Sequence, residues 1–411
     1  MSSRSSNTLK SFKARHYDPE SPLKLNLTES QLSTVFDDLS HEIASWAPQA
    51  PASWGVPTTY KVSEKLICLN DTTLIVNLPP LTGLTGGAPR LCSSSGFYAK
   101  VEYKTGGTTK DIAYPEFNHI LTQTMNSNDD RAAMNASAGS YSSISQRTAL
   151  CQTTSQYIIN LNSLFNFANY PIMNSNQEVE FVVTWKNLVD VVVLNGATGV
   201  PVMPMLTTYI QSRITRMSPS IAMDRLSLMK AIPEDTFFHS TSKTQSFNLA
   251  VGLTSAPLVL VNLARQKVAA LFFIMRPTSR LNQEGAHSSF EKIQSFNLRN
   301  SSGVIFSGSQ DITDTMALTY LSQFWSNSTV QLETSTGTLT DFGQNIYCFS
   351  HSSNICDAYS RGRNLSSRYY EGNESLNLSF KALTVPMTVD VFTLCQSVLR
   401  QSESSVEVMS A

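Results

Sequence analysis

The residue types that most often carry catalysis or bind metals are scattered through this sequence. Catalytic centres and metal sites that a sequence can reveal have their acids, bases or ligands at short, fixed spacings. The six histidines instead stand singly along the chain, at His16, His41, His119, His239, His287 and His351. None of the zinc-protease, EF-hand, phosphate-loop or nucleophile-elbow patterns is present. We therefore expect no catalytic residue, no metal site and no cofactor.

Two short stretches come closest to a chemical motif. The glycine-rich segment from Leu81 to Ala88 has prolines on both sides. No helix opens there whose N-terminus would bind a phosphate, so we interpret the segment as a turn. Cys348 stands shortly before His351, but it lies in an apolar stretch, where a buried structural thiol is the usual role. Neither stretch predicts an enzyme.

The overall composition is typical of a large protein with little net charge. The chain has 411 residues, of which 41% are hydrophobic and 15% charged, and its formal net charge is −1. This length predicts roughly two or three domains, and the low charge gives the whole protein no electrostatic drive toward nucleic acid. The six cysteines include no C-x-x-C pair, which indicates reduced thiols. The richest apolar run, 268–275, has the length of a strand and is too short to cross a bilayer.

The first 57 residues are expected to form an N-terminal arm with one amphipathic helix. The helix is predicted over 28–46, where apolar side chains recur on one face at Leu32, Val35, Phe36, Leu39, Ile43 and Trp46. Residues 1–16 contain four basic residues and no acidic one, Arg4, Lys10, Lys13 and Arg15. Two interpretations of this basic segment stay open, a disordered tail and an arm that binds an anionic surface.

From residue 58 onward, short β-branched and aromatic segments alternate with clusters of Gly, Pro, Asn and Ser. Strands at this spacing without intervening helices favour antiparallel sandwiches or barrels. Because the pattern occurs twice, we predict an all-β protein with two consecutive eight-stranded antiparallel jelly-rolls. The predicted boundaries are 58–232 for the first jelly-roll, 233–242 for a linker, 243–400 for the second jelly-roll and 401–411 for a tail.

Two longer polar excursions interrupt the strand pattern, at 118–150 and 309–340. Loops of this length outside a compact β-core usually build surface or carry function, and we expect these two to form the outward surface. Gly106-Gly107 predicts a hairpin turn. The alternating stretch Arg225–Ile232, which ends at Pro233, predicts a further strand.

One pattern in the second half is longer than a single strand. An aromatic strand ending in Ser is followed about a dozen residues later by a segment of the form G-x-N-x-S-x-R. This arrangement resembles the double-jelly-roll major capsid proteins of large eukaryotic double-stranded DNA viruses and their smaller relatives. The matched positions are Tyr347, Phe349, Ser350, Gly362, Asn364, Ser366 and Arg368. The chain departs from that pattern in three ways: Leu365 replaces the usual Phe, one extra Ser precedes the Arg, and the usual Pro-Glu pair between the two pieces is missing.

The resemblance implies a structural role without catalysis. It implies homotrimers whose six barrels form pseudo-hexagonal capsomers of an icosahedral virion shell, assembled inside the host cell. The implied partners are further copies of the chain, minor capsid and penton proteins, and an internal membrane or genome reached by the N-terminal arm. The basic segment and the predicted helix are expected on the inner side, in contact with neighbouring capsomers.

Three other functions remain as alternatives. A minor or vertex capsid protein of the same virion would have a similar build. A carbohydrate-binding β-sandwich would need a secretory signal and an exposed aromatic or Ca²⁺ site, and neither is evident. A jelly-roll enzyme of the cupin type would need clustered His and Glu ligands on paired strands, which the sequence does not contain.

Overall fold

The protein is described from a computed structural model. The described residues are 39–65, 67–125, 128–139, 143–161, 170–172, 178–217, 223, 227, 230, 234–279, 281, 290–308, 331–333, 339–341, 345–351, 367–402 and 406–410.

Two antiparallel sheets form the first sandwich. Its strands are β1 (Leu39–Trp46), β2 (Pro57–Val62), β3 (Ile67–Leu78), β4 (Thr82–Thr85), β5 (Arg90–Leu91), β6 (Tyr98–Thr105), β7 (Thr108–Ala113), β8 (Ser155–Asn160), β9 (Tyr170–Ile172), β10 (Val179–Trp185), β11 (Val192–Val193), β12 (Thr198–Val202) and β13 (Thr207–Met217). One sheet has the order β1-β13-β3-β8, with β9 also paired to β3, and the other has the order β2-β10-β6-β7. The ribbons β4-β12 and β5-β11 are separate pairs.

A second sandwich follows along the chain. Its strands are β14 (Glu234–Leu249), β15 (Ser255–Val259), β16 (Gln266–Pro277), β17 (Ser295–Asn300), β18 (Gly303–Gly308), β19 (Gln331–Glu333), β20 (Leu339–Asp341), β21 (Tyr347–Ser350), β22 (Arg368–Tyr370), β23 (Ser375–Ser379), β24 (Met387–Gln401) and β25 (Val406–Ser410). Its sheets have the orders β14-β24-β16-β21 and β15-β23-β17-β18. In addition, β22 pairs with β16, β25 pairs with β24, and β19 pairs with β20.

The two sandwiches repeat one topology. When the eight main strands of each are numbered along the chain, one sheet reads 1-8-3-6 and the other 2-7-4-5 in both sandwiches. This is the strand order of a jelly-roll, in which two Greek keys protect most sheet edges. The repeat extends to a detail, because the third strand also pairs with a short strand that follows the sixth, β9 in the first sandwich and β22 in the second. The predicted double jelly-roll is confirmed.

Aromatic side chains join the two sheets of the first sandwich. Trp46 stacks on Phe181 across the core with ring centroids 6.3 Å apart, and Tyr103 meets the same ring edge-on at 5.3 Å. The hydroxyls of Tyr60 and Thr208 form a hydrogen bond of 2.6 Å between the sheets. Such burial of an aromatic side chain stabilises a fold by about 1.5–3 kcal/mol. The alternation of buried and half-buried residues along β10 follows from the two-residue period of a strand.

The central strand β16 explains the continuous apolar run at 268–275. Leu271 and Phe273 face the core of the second sandwich, where Phe273 meets Phe296 edge-on with centroids 4.9 Å apart. Phe272 and Ile274 point to the opposite face and belong to a separate buried cluster. A strand covered on both faces needs apolar residues at every position, so its sequence does not alternate.

The helix predicted over 28–46 is wrong for residues 39–46. These residues form β1, an edge strand that pairs antiparallel with β13. Ala44 and Trp46 point into the core while Ile43 is 71% exposed, so the predicted stripe is divided between two faces of a strand. Pairing with a remote strand satisfies the backbone and buries Trp46, and this outweighs a weak local helix preference. Residues 28–38 lie outside the described residues.

Three further predictions are corrected. Residues 234–242 of the linker expected at 233–242 lie within β14, which pairs with β24 along its length. The tail expected at 401–411 contains β25, which pairs with the end of β24. The strand expected at Arg225–Ile232 is helical at its described residues, Ser227 and Lys230. For β14 and β25 the pairing partner is what creates the strand, and local sequence does not reveal it.

Helices occupy most of the first polar excursion. They are α1 (Pro115–Met125), α2 (Asn128–Ser137) and α3 (Ile144–Cys151), and a short α4 (Leu188–Val191) follows later. Pro115 suits the first helical position, since it has no N–H to leave unpaired. Glu116 lies in the first turn, where an acidic side chain interacts favourably with the positive end of the helix dipole. The expectation of an outward polar loop at 118–150 is therefore wrong for α1, which is buried. Single 3₁₀ turns lie at Ser94–Gly96 and Val261–Leu263.

The turn predicted at Gly106-Gly107 joins β6 to β7. Both glycines have positive φ, +54° and +75°, the backbone conformation that a tight hairpin requires and that side chains disfavour. In the second excursion, 309–340, the structure describes β19 and the first two residues of β20. The last residue of β20, Asp341, follows the excursion.

Candidate functional site at the junction of the two sandwiches

Helix α1 belongs to the first sandwich but packs on the second. Its Phe117 ring stacks on Phe392 with centroids 5.2 Å apart and meets Phe272 edge-on at 5.6 Å. Ile120 and Leu121 join the same buried cluster. Fully burying each such side chain contributes about 1.5–3 kcal/mol. The outer face of the sheet β14-β24-β16-β21 is thereby covered, and the two sandwiches share one apolar interface.

A buried ion pair lies on the same sheet face. Arg276 Nε donates to Asp390 Oδ2 at 2.7 Å, and the two side chains are 7% and 0% exposed. Ser246 Oγ donates to the other carboxylate oxygen of Asp390. The three residues come from β16, β24 and β14, so the pair forms only when these strands have the right register. Buried pairs often add little net stability, but removal of one partner is costly.

The end of β24 and the start of β25 lie beside the first sandwich. β25 pairs with Ser397–Gln401 at the end of β24, and Leu399 within that segment packs into the core of the first sandwich. Burial lowers the pKa of Lys110 on β7, and the negative charge of Glu407 on β25 partly opposes that effect. The C-terminal residues are thus part of the folded unit.

The described positions of the family-like pattern meet on one edge of β16. Tyr347, Ser350 and Arg368 lie opposite Phe273, Ala270 and Val268 of β16, respectively. The Tyr347 hydroxyl accepts a hydrogen bond from the backbone N–H of Ile293 at 2.8 Å and donates one to its carbonyl at 3.1 Å.

Phe349 packs partly buried against the second core. Gly362, Asn364 and Ser366 lie outside the described residues. The described part of the pattern therefore forms the two short strands, β21 and β22, that pair with β16.

His351 follows β21 and is held by aromatic neighbours. Its Nε2 lies 3.0 Å from the Tyr370 hydroxyl, and its ring meets Phe349 edge-on at 4.7 Å. Burial, reinforced by the positive charge of Arg368, lowers the His351 pKa from 6.5 to about 4. The folded protein therefore holds this imidazole neutral at neutral pH.

We expect His351 to make the protein less stable in mild acid. Because the pKa is lower in the folded than in the unfolded state, the unfolded state binds the proton first. Stability should fall as pH drops from about 6.5 toward 4 and this contribution should level off below that. Urea midpoints measured between pH 4 and 7.5 should show a shallower acid loss in His351→Gln than in wild type. Tyr370→Phe, which keeps the imidazole, should retain the acid loss, and equal slopes in all three proteins would contradict the assignment.

The residues predicted to make assembly contacts do not come together in the described structure. Trp46 lies in the first core and Ile43 on the outer face of β1, while Leu39 opens that strand. The other predicted contacts, Arg4, Lys10, Lys13, Arg15, Leu32, Val35 and Phe36, lie outside the described residues. Sequence reasoning missed α1, although the spacing of Phe117, Ile120 and Leu121 is a helical signal that pointed to it.

The described residues include a small polar pocket and several buried thiols. A pocket of about 30 Å³ lies between α1, α2 and β8 and is lined by polar side chains that include Asn118, His119 and Asn135, which leaves room for ordered water. No group of three His, Cys, Asp or Glu side chains in the described ranges could hold a metal ion. Cys92, Cys151, Cys348 and Cys395 are buried thiols. Where the structure describes helices, none has the length and apolar character needed to span a bilayer.

The fold matches solved proteins of virions. The PBCV-1 protein VP54, solved as a crystal structure and fitted into a reconstruction of the virophage Sputnik, superposes with a TM-score of 0.65 at 12% identity, over 91% of this chain and 97% of that one. The Faustovirus major capsid protein gives 0.63 at 8% identity, over 89% and 91%. A chain of the Sputnik virophage gives 0.56 at 9% identity, over 90% and 88%.

In sequence, the chain matches no protein-family model and no curated protein. The structural matches nevertheless extend over both sandwiches of this chain and nearly the whole length of the virion proteins. Repeated strand order, a shared junction and these superpositions lead to one conclusion: the chain has the double-jelly-roll fold found in the capsid proteins of double-stranded DNA viruses.

Proposed function

We propose that this chain is the major capsid protein of an icosahedral DNA virus and that three copies form one capsomer. Each copy contributes two equivalent jelly-rolls, over residues 39–217 and 234–410, and α1 of the first packs on the second. Three copies around a threefold axis place six similar sandwiches in a ring, which gives a near-hexagonal tile. Closed symmetry keeps such a tile finite while its edges remain available to neighbouring tiles.

The observation that carries this proposal is the match of the complete two-sandwich unit. The Faustovirus major capsid protein shares the fold over about nine tenths of both chains, so the likeness does not arise from one common sandwich. The hydrogen bonds of His351 with Tyr370 and of Tyr347 with Ile293 support a structural use of these side chains, in contrast to the His and Glu ligand cluster that a cupin-type enzyme needs. A virion location follows from the proposed role.

The oligomeric state tests this proposal. Purified full-length protein is expected to sediment as a trimer and to appear in electron micrographs as a six-lobed, near-hexagonal particle. A stable monomer at micromolar concentration would count against the capsomer. A pentamer would instead favour the minor or vertex capsid protein of the same virion, since a fivefold position needs five copies.

We also propose that the N-terminal segment acts on the inner side of the shell, against a neighbouring capsomer, an internal membrane or the genome. Its basic residues, Arg4, Lys10, Lys13 and Arg15, support contact with an anionic surface. This segment is attached to the first sandwich at Leu39, the first residue of β1.

Two truncations separate this role from folding. Deletion of residues 1–38 is expected to leave soluble trimers but to impair their assembly into shells. Deletion of 1–46 also removes β1 and the buried Trp46, so trimers themselves should be lost as the first sandwich unfolds. Sedimentation and negative-stain microscopy measure both results. Loss of trimers in the shorter deletion would show that the segment belongs to the trimer.

A further inference from the structure

The connection between β11 and β12 contains the one Asn-Gly pair of the chain, Asn195-Gly196. Both residues have positive φ, +44° and +84°, and the Leu194 carbonyl accepts a hydrogen bond from the Ala197 N–H at 2.9 Å. This is the tight turn that Asn-Gly favours, because asparagine and glycine tolerate a left-handed backbone better than other residues. The backbone conformation thus explains why these two residue types stand here.

The glycine-rich segment 81–88 packs against the backbone of this turn. A Cβ atom on Gly87 would lie 2.3 Å from the Ala197 nitrogen and 2.6 Å from the Asn195 carbonyl oxygen, so only glycine fits there. The Ala88 N–H donates to the same carbonyl oxygen at a long 3.3 Å. These contacts involve the backbone of Asn195 and not its side-chain amide.

Two neighbouring groups of the turn could react with each other, and neither is held by a hydrogen bond. Within the part of the chain that the structure describes, the Asn195 carboxamide and the Gly196 N–H have no hydrogen-bond partner. Asn195 is half-buried and Gly196 is exposed. Because Gly196 has no Cβ, its nitrogen is also open to approach. The carboxamide and this nitrogen can therefore meet once the backbone of Asn195 rotates.

The turn lies in a part of the first sandwich that can open by itself. β11 has two residues, and β12 pairs with β4 in a ribbon separate from the two main sheets. Two-stranded ribbons have little stability of their own, and such units open with a free energy below that of global unfolding. Local opening lets Asn195 rotate out of the turn conformation while both sandwiches stay folded.

We propose that Asn195 is a site of spontaneous deamidation in the folded protein. The Gly196 nitrogen loses its proton and attacks Asn195 Cγ, so that a new C–N bond forms. The bond between Cγ and Nδ2 breaks, and ammonia leaves with the proton. Water then opens the resulting succinimide ring at either carbonyl and gives aspartate or isoaspartate at position 195. Water is the only co-reactant, and no atom is oxidised or reduced.

The product places a charge where the sequence has none. Segments 72–89 and 191–212 contain no Asp, Glu, Lys or Arg, and Val200 and Val202 on β12 are 72% and 52% exposed. A carboxylate at position 195 is ionised at neutral pH, so it makes this neutral surface anionic. Isoaspartate also lengthens the backbone, which disturbs the turn and the pairing of β12 with β4.

Peptide mapping tests this inference. Full-length protein is incubated for several weeks in mildly alkaline buffer, digested with trypsin and analysed by tandem mass spectrometry. Asn195 should be converted at least tenfold faster than Asn187, which precedes a leucine in the same tryptic peptide and donates to Asp190. The rate should rise with pH, because the Gly196 nitrogen must lose its proton. A smaller ratio between the two sites would overturn the inference.

Two controls locate the reaction at this turn and in the folded state. Asn195→Gly keeps a residue suited to positive φ but has no side-chain amide, so it should form much less of the acidic species that wild type gains on anion exchange. Urea well below the unfolding midpoint should leave the wild-type rate unchanged, because the reaction depends on local opening. An equal acidic fraction in Asn195→Gly, or a rate that rises in parallel with global unfolding, would overturn the inference.

Discussion

Phe273→Asp is expected to yield no soluble, folded protein. The Phe273 ring is fully buried in the second core, edge-on to Phe296 and stacked on Tyr347 with centroids 5.5 Å apart. Loss of the ring costs about 3–5 kcal/mol, and burial of a carboxylate adds several kcal/mol more. Because folded proteins are stable by only about 5–15 kcal/mol, the sum is enough to unfold the second sandwich. Soluble expression followed by sedimentation measures the outcome.

Two companion variants give this experiment its controls. Phe273→Leu keeps an apolar side chain in the same core and should remain soluble and trimeric. Phe272→Asp should also fail, although its ring faces α1 instead of the second core. A soluble trimer of Phe273→Asp would contradict the core assignment, and a soluble trimer of Phe272→Asp would show that α1 does not seal the junction.

Arg276→Met is expected to lower the free energy of unfolding by about 3–5 kcal/mol. The substitution leaves Asp390 fully buried without its arginine, and breaking a buried pair by removing one partner has a cost of this size. Ser246 still donates to the carboxylate, but a hydroxyl does not neutralise its charge. The urea midpoint at neutral pH measures the loss.

The same pair offers a stringent control. Arg276→Met combined with Asp390→Leu removes both charges, and replacement of a buried pair by apolar residues is often neutral or stabilising, so most of the lost stability should return. Lys61→Met breaks an exposed pair with Glu178 and should change stability by about 1 kcal/mol or less. If the double variant were as unstable as Arg276→Met, the cost would come from lost packing around Arg276 and not from a buried charge.

Some of the strands could be predicted from the sequence, because a strand with one buried face alternates between apolar and polar residues. The segment Val179–Trp185 alternates between inward and outward residues and forms β10. The apolar run 268–275 is a strand covered on both faces, and its length alone separated it from a membrane span. The hairpin at Gly106-Gly107 followed from backbone chemistry, since positive φ is easily adopted only by glycine.

Other elements depended on partners that are far away in sequence. Residues 39–46 have apolar spacing that suits a helix, yet they form β1 because β13, more than 150 residues later, provides the pairing. β14 and β25 gained their structure from β24 in the same way. Local patterns cannot report such pairing, because its free energy belongs to the contact and not to either segment alone.

By itself, the sequence determined the class of the fold: β-segments in a pattern that occurs twice led to the prediction of two jelly-rolls. Only the tertiary structure decided how the two halves join. It placed α1 on Phe272 and Phe392, buried Arg276 with Asp390, and turned the expected linker and tail into paired strands. The physical reason is that the residues of a strand alternate between its two faces, and this alternation is visible in the local sequence. The junction depends on contacts between surfaces that only the folded chain brings together.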